Sequence, residues 1–216
     1  MASTAEMRDI YIRKLSATWQ EMQFASYWGG SFDDGLVALL IDSAGRLNLV
    51  ATTNSLDYPV TLDALQTAVV GTGVGLTRFS LSADNADFST TWGGLLIDRI
   101  SLSRFRAHIV PGDRIIWCGS TLPRDLPNLA EPLPGPLVNS FTNALIGGYD
   151  PTSGGWLPSY LFGGRGTTFA RDCTVTTENK LVVAGSTDSA AFPLVGSSLP
   201  SSGMGMRAFV SLIHRQ

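Results

Sequence analysis

The chain offers few groups whose types and spacing could do chemistry. The first is the adjacent pair Asp33 and Asp34, set in GGSFDDG. Neighbouring carboxylates in a glycine-flanked loop can help hold a hard cation such as calcium, which takes six or more oxygens. Only two carboxylates stand here, and aspartate in such a loop can equally accept backbone N–H bonds and fix a turn. The histidines, His108 and His214, have no nucleophile, base and orienting acid patterned around them. GGSFDDG is not a nucleophile elbow, because no strand-turn-helix context surrounds it. So few histidines and cysteines do not support a zinc site. Cys118 and Cys173 form no metal spacing and no CxxC pair, and read as buried free thiols. No catalytic residue, metal or cofactor is assigned.

Binding is the better prospect. Trp19 and Trp156 fall just before, or at the entry of, a strand, where an exposed ring can stack on a sugar or a peptide. Arg104, Arg106, Arg114 and Arg124 cluster in one part of the chain and could face an acidic partner or simply be solvated. Lysine occurs only at Lys14 and Lys180, so the arginine bias fits persistent hydrogen-bonded pairs or reflects genome composition. A net charge of -3 without a basic face argues against nucleic acid. No apolar run approaches the roughly 18 to 20 residues of a membrane span. The N-terminus has no apolar signal core, so the chain as given reads as not targeted for secretion, though it could be a mature or excised segment. The source compartment stays open.

Any such site must be positioned by short elements. The chain's 23 glycines and 11 prolines are spread throughout, and Val, Ile, Thr, Phe and Trp fill the segments between them. That pattern favours many strands joined by many turns. An aromatic-Gly-Gly ending occurs three times: Trp28, Gly29 and Gly30; Trp92, Gly93 and Gly94; Phe162, Gly163 and Gly164. Gly29 and Gly93 are 64 residues apart, Gly93 and Gly163 are 70 apart. The prolines of LDYPV, RDLPN and AAFPL (Pro59, Pro127 and Pro193) are 68 and 66 apart. Two independent markers thus give one period.

Each repeat reads as four strands. The first strands are 9–16, 75–82 and 140–148, and the second are 22–28, 86–92 and 155–162. The third are 36–42, 105–110 and 172–177, and the fourth are 47–53, 114–121 and 180–187. DSAGR, VPGDR and TENK supply Gly, Asn and Asp for the tight hairpins between third and fourth strands. TLDALQTA in the first long connection could form one or two helical turns, marginal at that length. The surplus AFVSLI, near the C-terminus, matches a first strand. The organisation is therefore a tail (1–8), repeats at 9–74, 75–139 and 140–206, and an extra strand in 207–216.

A four-stranded sheet repeated at a fixed period is the mark of a β-propeller blade, with a sandwich as the alternative. The segment from SYWGGSFDDG to LDYPVTLDALQ resembles the bacterial β-propeller repeat called the SBBP repeat. The matching residues are Gly29, Gly30, Ser31, Asp33, Asp34, Asp42, Ser43, Gly45, Asp57, Tyr58 and Pro59. The match weakens in the second and third repeats. The resemblance implies an all-β propeller fold and a surface or secreted setting, but no activity.

On the propeller reading, Trp28, Trp92 and Phe162 pack between neighbouring blades, and the glycine pairs provide close approach or positive φ. Three blades and a strand do not close a ring, so open edges are expected to recruit protein partners. The expectation is a non-enzymatic scaffold or binding module that completes its ring by self-association or with another polypeptide. AFVSLI would be contributed across that junction. The alternatives are a structural subunit of a larger assembly, and a lyase or hydrolase acting on saccharides at the axial face. A saccharide is the second candidate ligand.

Overall fold

The computed structural model describes residues 7–82, 85–93, 105–121, 126, 142–189, 192 and 205–213. Gly94, Arg104, Arg124, Pro127, Pro193 and His214 lie outside them. Among the described residues the fold is all-β, with thirteen strands and no helix. They are β1 (Ile10–Leu15), β2 (Met22–Trp28), β3 (Asp34–Ile41), β4 (Leu47–Thr53), β5 (Gly73–Phe79), β6 (Ala86–Trp92) and β7 (Arg106–Val110). Then follow β8 (Arg114–Thr121), β9 (Asn143–Asp150), β10 (Gly155–Phe162), β11 (Thr168–Val175), β12 (Leu181–Thr187) and β13 (Arg207–Ile213). The expected bounds of β2, β4, β6, β8 and β10 coincide with the observed ones. Strand β11 starts at Thr168, earlier than expected, because a bulge between Ala170 and Asp172 breaks the alternation that would reveal it.

The strands form four open antiparallel sheets. Sheet I is β1-β2, sheet II β3-β4-β5-β6, sheet III runs β10-β9-β8-β7, and sheet IV is β11-β12-β13. The four-strand sequence repeat and the four-strand sheet are therefore offset by two strands. The fourth strand of one repeat pairs with the first strand of the next, across the long connection. The pairing has the same register each time: Thr53↔Gly73, Thr121↔Asn143 and Thr187↔Arg207. Strand β13, expected to be handed across a junction, lies on β12 of its own chain.

The hairpin turns follow from side-chain chemistry. Asp42 Oδ1 accepts the N–H groups of Ala44 and Arg46 (3.0 and 2.8 Å), and Gly45 takes φ +81°. In the equivalent turns Gly112 and Asp113 (φ +83° and +56°) and Asn179 (φ +61°) supply the left-handed residues.

TLDALQTA forms no helix; its backbone is spent elsewhere. Thr61 N–H donates to Ser89 C=O (3.0 Å) and Thr91 N–H donates to Gln66 C=O (2.9 Å). Thr61 Oγ1 accepts from Ser89 N–H, and Thr90 Oγ1 accepts from Gln66 N–H. This connection thereby lies along the outer edge of β6 and satisfies groups that would otherwise invite a further strand.

The chain divides into two compact units, Met1–Ile97 and Asp98–Gln216, each with its own core. In the first, Ile10 and Ile12 of sheet I meet Leu49, Ala51, Phe79 and the loop residue Tyr58 of sheet II. In the second, Ala144, Ile146 and Phe162 of sheet III meet Leu181, Val183, Phe209 and Ile213 of sheet IV. By ladder register these are equivalent positions: Ile10 and Ile12 correspond to Ala144 and Ile146, and Trp28 to Phe162. Leu47 and Leu49 likewise correspond to Leu181 and Val183. One stacking rule thus operates in both units. The back of one sheet, bearing its strand-end aromatic, packs on the front of the next.

Candidate functional site

The most polar constellation is built where the Gly-Gly-Ser and Asp-Asp segments meet the loop after β4. Asp34 is buried at the start of β3, and its Oδ2 accepts Gly30 N–H (2.7 Å) and the Ser55 hydroxyl (2.9 Å). Ser55 Oγ in turn accepts Phe32 N–H at 2.9 Å. Asp57 Oδ1 accepts Ser31 N–H (2.7 Å), and its Oδ2 accepts the Ser31 hydroxyl. The Ser31 hydroxyl and N–H hold the Asp57 carboxyl below its ordinary range. Asp33 turns away, with Oδ1 accepting Arg8 N–H at 3.1 Å and forming a 3.6 Å ion pair with the Arg8 guanidinium Nε. Of the two adjacent carboxylates, Asp34 gives Oδ2 to the loop and keeps a buried Oδ1 with no partner among the described residues, and the half-exposed Asp33 pairs with Arg8, two residues before β1. No group of three or more His, Cys, Asp or Glu suited to a metal is found among the described residues.

The glycine pairs prove to be sites of close approach. Gly29, Gly30, Gly93 and Gly163 have no positive φ. A Cβ on Gly29 would run into the carboxylates of Asp9 and, at 2.7 Å, Asp34. A Cβ on Gly163 would run into the amide of Asn143. Asp9 and Asn143 occupy one register position, opposite the end of β2 or β10. In the second repeat that position is Gly73, and Val69 fills the space instead. The first glycine therefore admits a polar or apolar plug from the start of the neighbouring strand or from the connection leading into it.

The aromatics divide. Trp28 Nε1 donates to Tyr58 Oη (3.1 Å) and Thr77 Oγ1 (3.0 Å), and its ring meets Phe79 edge-on at 5.0 Å. Tyr58 Oη and Thr77 Oγ1 share a bond of 3.2 Å, and Thr77 continues to Ser89 Oγ at 2.8 Å. Ser89 Oγ closes the chain on Pro59 C=O at 2.6 Å. Burial pushes the Tyr58 phenol well up, against the opposing bonds from Thr77 and Trp28, so it stays neutral. In the third repeat the same place is apolar, with Phe162 5.7 Å from Phe209 and Phe192 4.7 Å from Phe209. Trp28 and Tyr58 are 30 residues apart, as are Phe162 and Phe192. Trp92 is fully buried.

Trp156 is half-buried and packs edge-on against Trp117 (6.0 Å) and Tyr149 (5.9 Å). Trp19 is different. It sits at the tip of the β1-β2 hairpin with φ +63° and is 81% exposed. A bulky residue in the left-handed region is an outlier. The turn sustains it through Trp19 N–H to Ser16 C=O (2.9 Å) and Ser16 N–H to Glu21 C=O (2.8 Å).

Arg106 and Arg114 are not brought together. Arg106 starts β7 and Arg114 starts β8 opposite Val110, four residues up the ladder, or about 13 Å at strand rise. Arg106 donates to Phe105 C=O, and Arg114 to Pro111 C=O and Asn179 Oδ1 (2.6 Å).

The pairing of His108 with Asp172 was not visible in the sequence. His108 Nε2 lies 2.6 Å from Asp172 Oδ1, which also accepts Cys173 N–H at 2.9 Å. The partners are 64 residues apart, so only the sheet stacking could reveal them. Cys118 and Cys173 are both free, both buried and both in the second unit's core. Contact with Cys118 and then burial push the Cys173 thiol far up. Compared with known proteins, the chain matches no family model and no curated protein.

Proposed function

We propose that this chain is a non-enzymatic scaffold of β-propeller type, a run of stacked sheets that completes its array with further copies of itself or with another polypeptide. The observation that carries this reading is the fate of the polar residues. Asp57, Ser55, Tyr58 and Thr77 spend their hydrogen bonds tying loops and neighbouring sheets together, and Asp34 spends its Oδ2 in the same way, leaving one buried oxygen, Asp34 Oδ1, unpartnered among the described residues. A site for turnover needs converging groups with capacity left for a substrate. The repeated stacking rule adds support, since sheets that pack back to front extend by adding another sheet. The resemblance to the SBBP repeat points the same way. Sedimentation equilibrium over a range of micromolar concentrations tests the reading. The expected result is a mass above the 23.0 kDa of one chain, or a tightly co-purifying second polypeptide. A folded monomer of 23.0 kDa at every concentration, with no companion chain, overturns it.

A further inference from the structure

Sheet-on-sheet packing in this molecule has a direction. Back faces carry Ile10 and Ile12, or Ala144 and Ile146; front faces carry Leu47 and Leu49, or Leu181 and Val183. Besides the β3 margin of sheet II's front, where Leu39 and Ile41 are more than half exposed, two faces of these same kinds are open to solvent among the described residues. The front of sheet I presents Tyr11 opposite Tyr27, with rings 5.3 Å apart, and Arg13 opposite Ala25. Met22 adjoins them through its sulfur, 4.0 Å from the Tyr11 hydroxyl. Tyr11, Met22 and Tyr27 are all more than half exposed, and Tyr27 is 69% exposed. The back of sheet IV presents Val210 opposite Ala184 and Leu212 opposite Val182. Val210 is 76% exposed and Leu212 49%. In sheet III the positions equivalent to Tyr11 and Tyr27 are Leu145 and Leu161, and both are buried.

The exposed pair is thus one front and one back, the combination that packs inside each unit. We infer that the front of sheet I in one copy is the docking surface for the back of sheet IV in a second copy. The occupant is a second copy because the chain itself supplies the complementary face, and because both internal interfaces have this polarity. The contact is heterologous: a patch on one copy meets a different patch on the next. This rests on the scaffold reading and names its partner and surfaces.

The test uses two full-length variants, Tyr27→Lys and Val210→Lys, each placing a charge on an exposed position that the fold does not use. Circular dichroism first confirms that both fold. Each alone is expected to sediment as a 23.0 kDa monomer at concentrations where the unmodified chain associates. Mixed in equal amounts, they are expected to form one-to-one heterodimers and nothing larger, because each variant keeps one intact face. A mixture that stays monomeric, or a variant that associates like the unmodified chain, overturns the assignment. In the second case self-association survives through some other surface, and the scaffold reading stands. If the unmodified chain never associates, this inference falls and only a foreign partner is left for the scaffold.

Discussion

At the scale of single residues, the aspartates that look chemical in the sequence are the ones that shape loops. Asp42 shows how much one carboxylate can hold. It accepts two backbone N–H bonds and also the Arg46 guanidinium at 2.8 Å. Burial opposes its charge, but the bonds from Arg46 and Asn48 prevail and hold its pKa below the ordinary 3.8. A lowered folded pKa stabilises the fold above pH 3.8, and that contribution is lost as pH falls through the folded value. Asp57, bonded by Ser31, has the same sign. The stability difference between the unmodified chain and Asp42→Asn is therefore expected to be greatest near neutral pH and to shrink below pH 3.8. Thermal melts of both proteins between pH 7 and pH 2 check this; a difference that grows on acidification would contradict it. The Asp42 turn was legible because all its partners lie within six residues. The Asp34–Ser55 and Ser31–Asp57 bonds were not, because they span 21 and 26 residues and depend on which loops the sheets bring together.

At the scale of elements, strand placement was largely legible and strand partnership was not. Bounds such as those of β4 and β8 follow from β-branched runs between turn residues. A period, however, fixes only the length of a unit and not where a sheet begins. The fourth strand pairs forward, across a connection of some twenty residues, so Leu49 and Thr77 of different repeats share one ladder position. The strand-end aromatic was also legible as a wedge, and the structure specifies its chemistry. Trp28 adds two donated bonds to the ring contacts that Phe162 makes without them. Tyr58 and Thr77 remain bonded to each other when that donor is lost. Trp28→Phe is accordingly expected to cost only ~1 kcal/mol, the net worth of a hydrogen bond or so. Trp28→Ala opens a cavity between sheets I and II and is expected to cost ~3 kcal/mol. Urea unfolding of the two variants measures both; equal losses would show that the indole N–H, and not the ring, carries the contact.

At the scale of the whole chain, the two cores share no residue, and each is sealed by its own pair of sheets. Leu49 is fully buried between sheets I and II, and Val183 between sheets III and IV. A truncation at either position removes two or three buried carbons and leaves a local void, worth about 1–4 kcal/mol. Where a protein consists of stacked modules, such losses open the damaged module first and reach distant ones only through shared interfaces. Leu49→Ala is expected to raise amide exchange throughout β1 to β6 while leaving β7 to β13 near their original protection. Val183→Ala is expected to do the reverse. Hydrogen–deuterium exchange with peptide-level mass spectrometry distinguishes this from a single cooperative unit, in which either substitution would raise exchange everywhere by the same factor. A uniform rise would mean that the energetic domain is larger than the packed one. On the proposed scaffold reading, the array would then have to be extended or interrupted as a whole, with no sheet pair added or lost on its own.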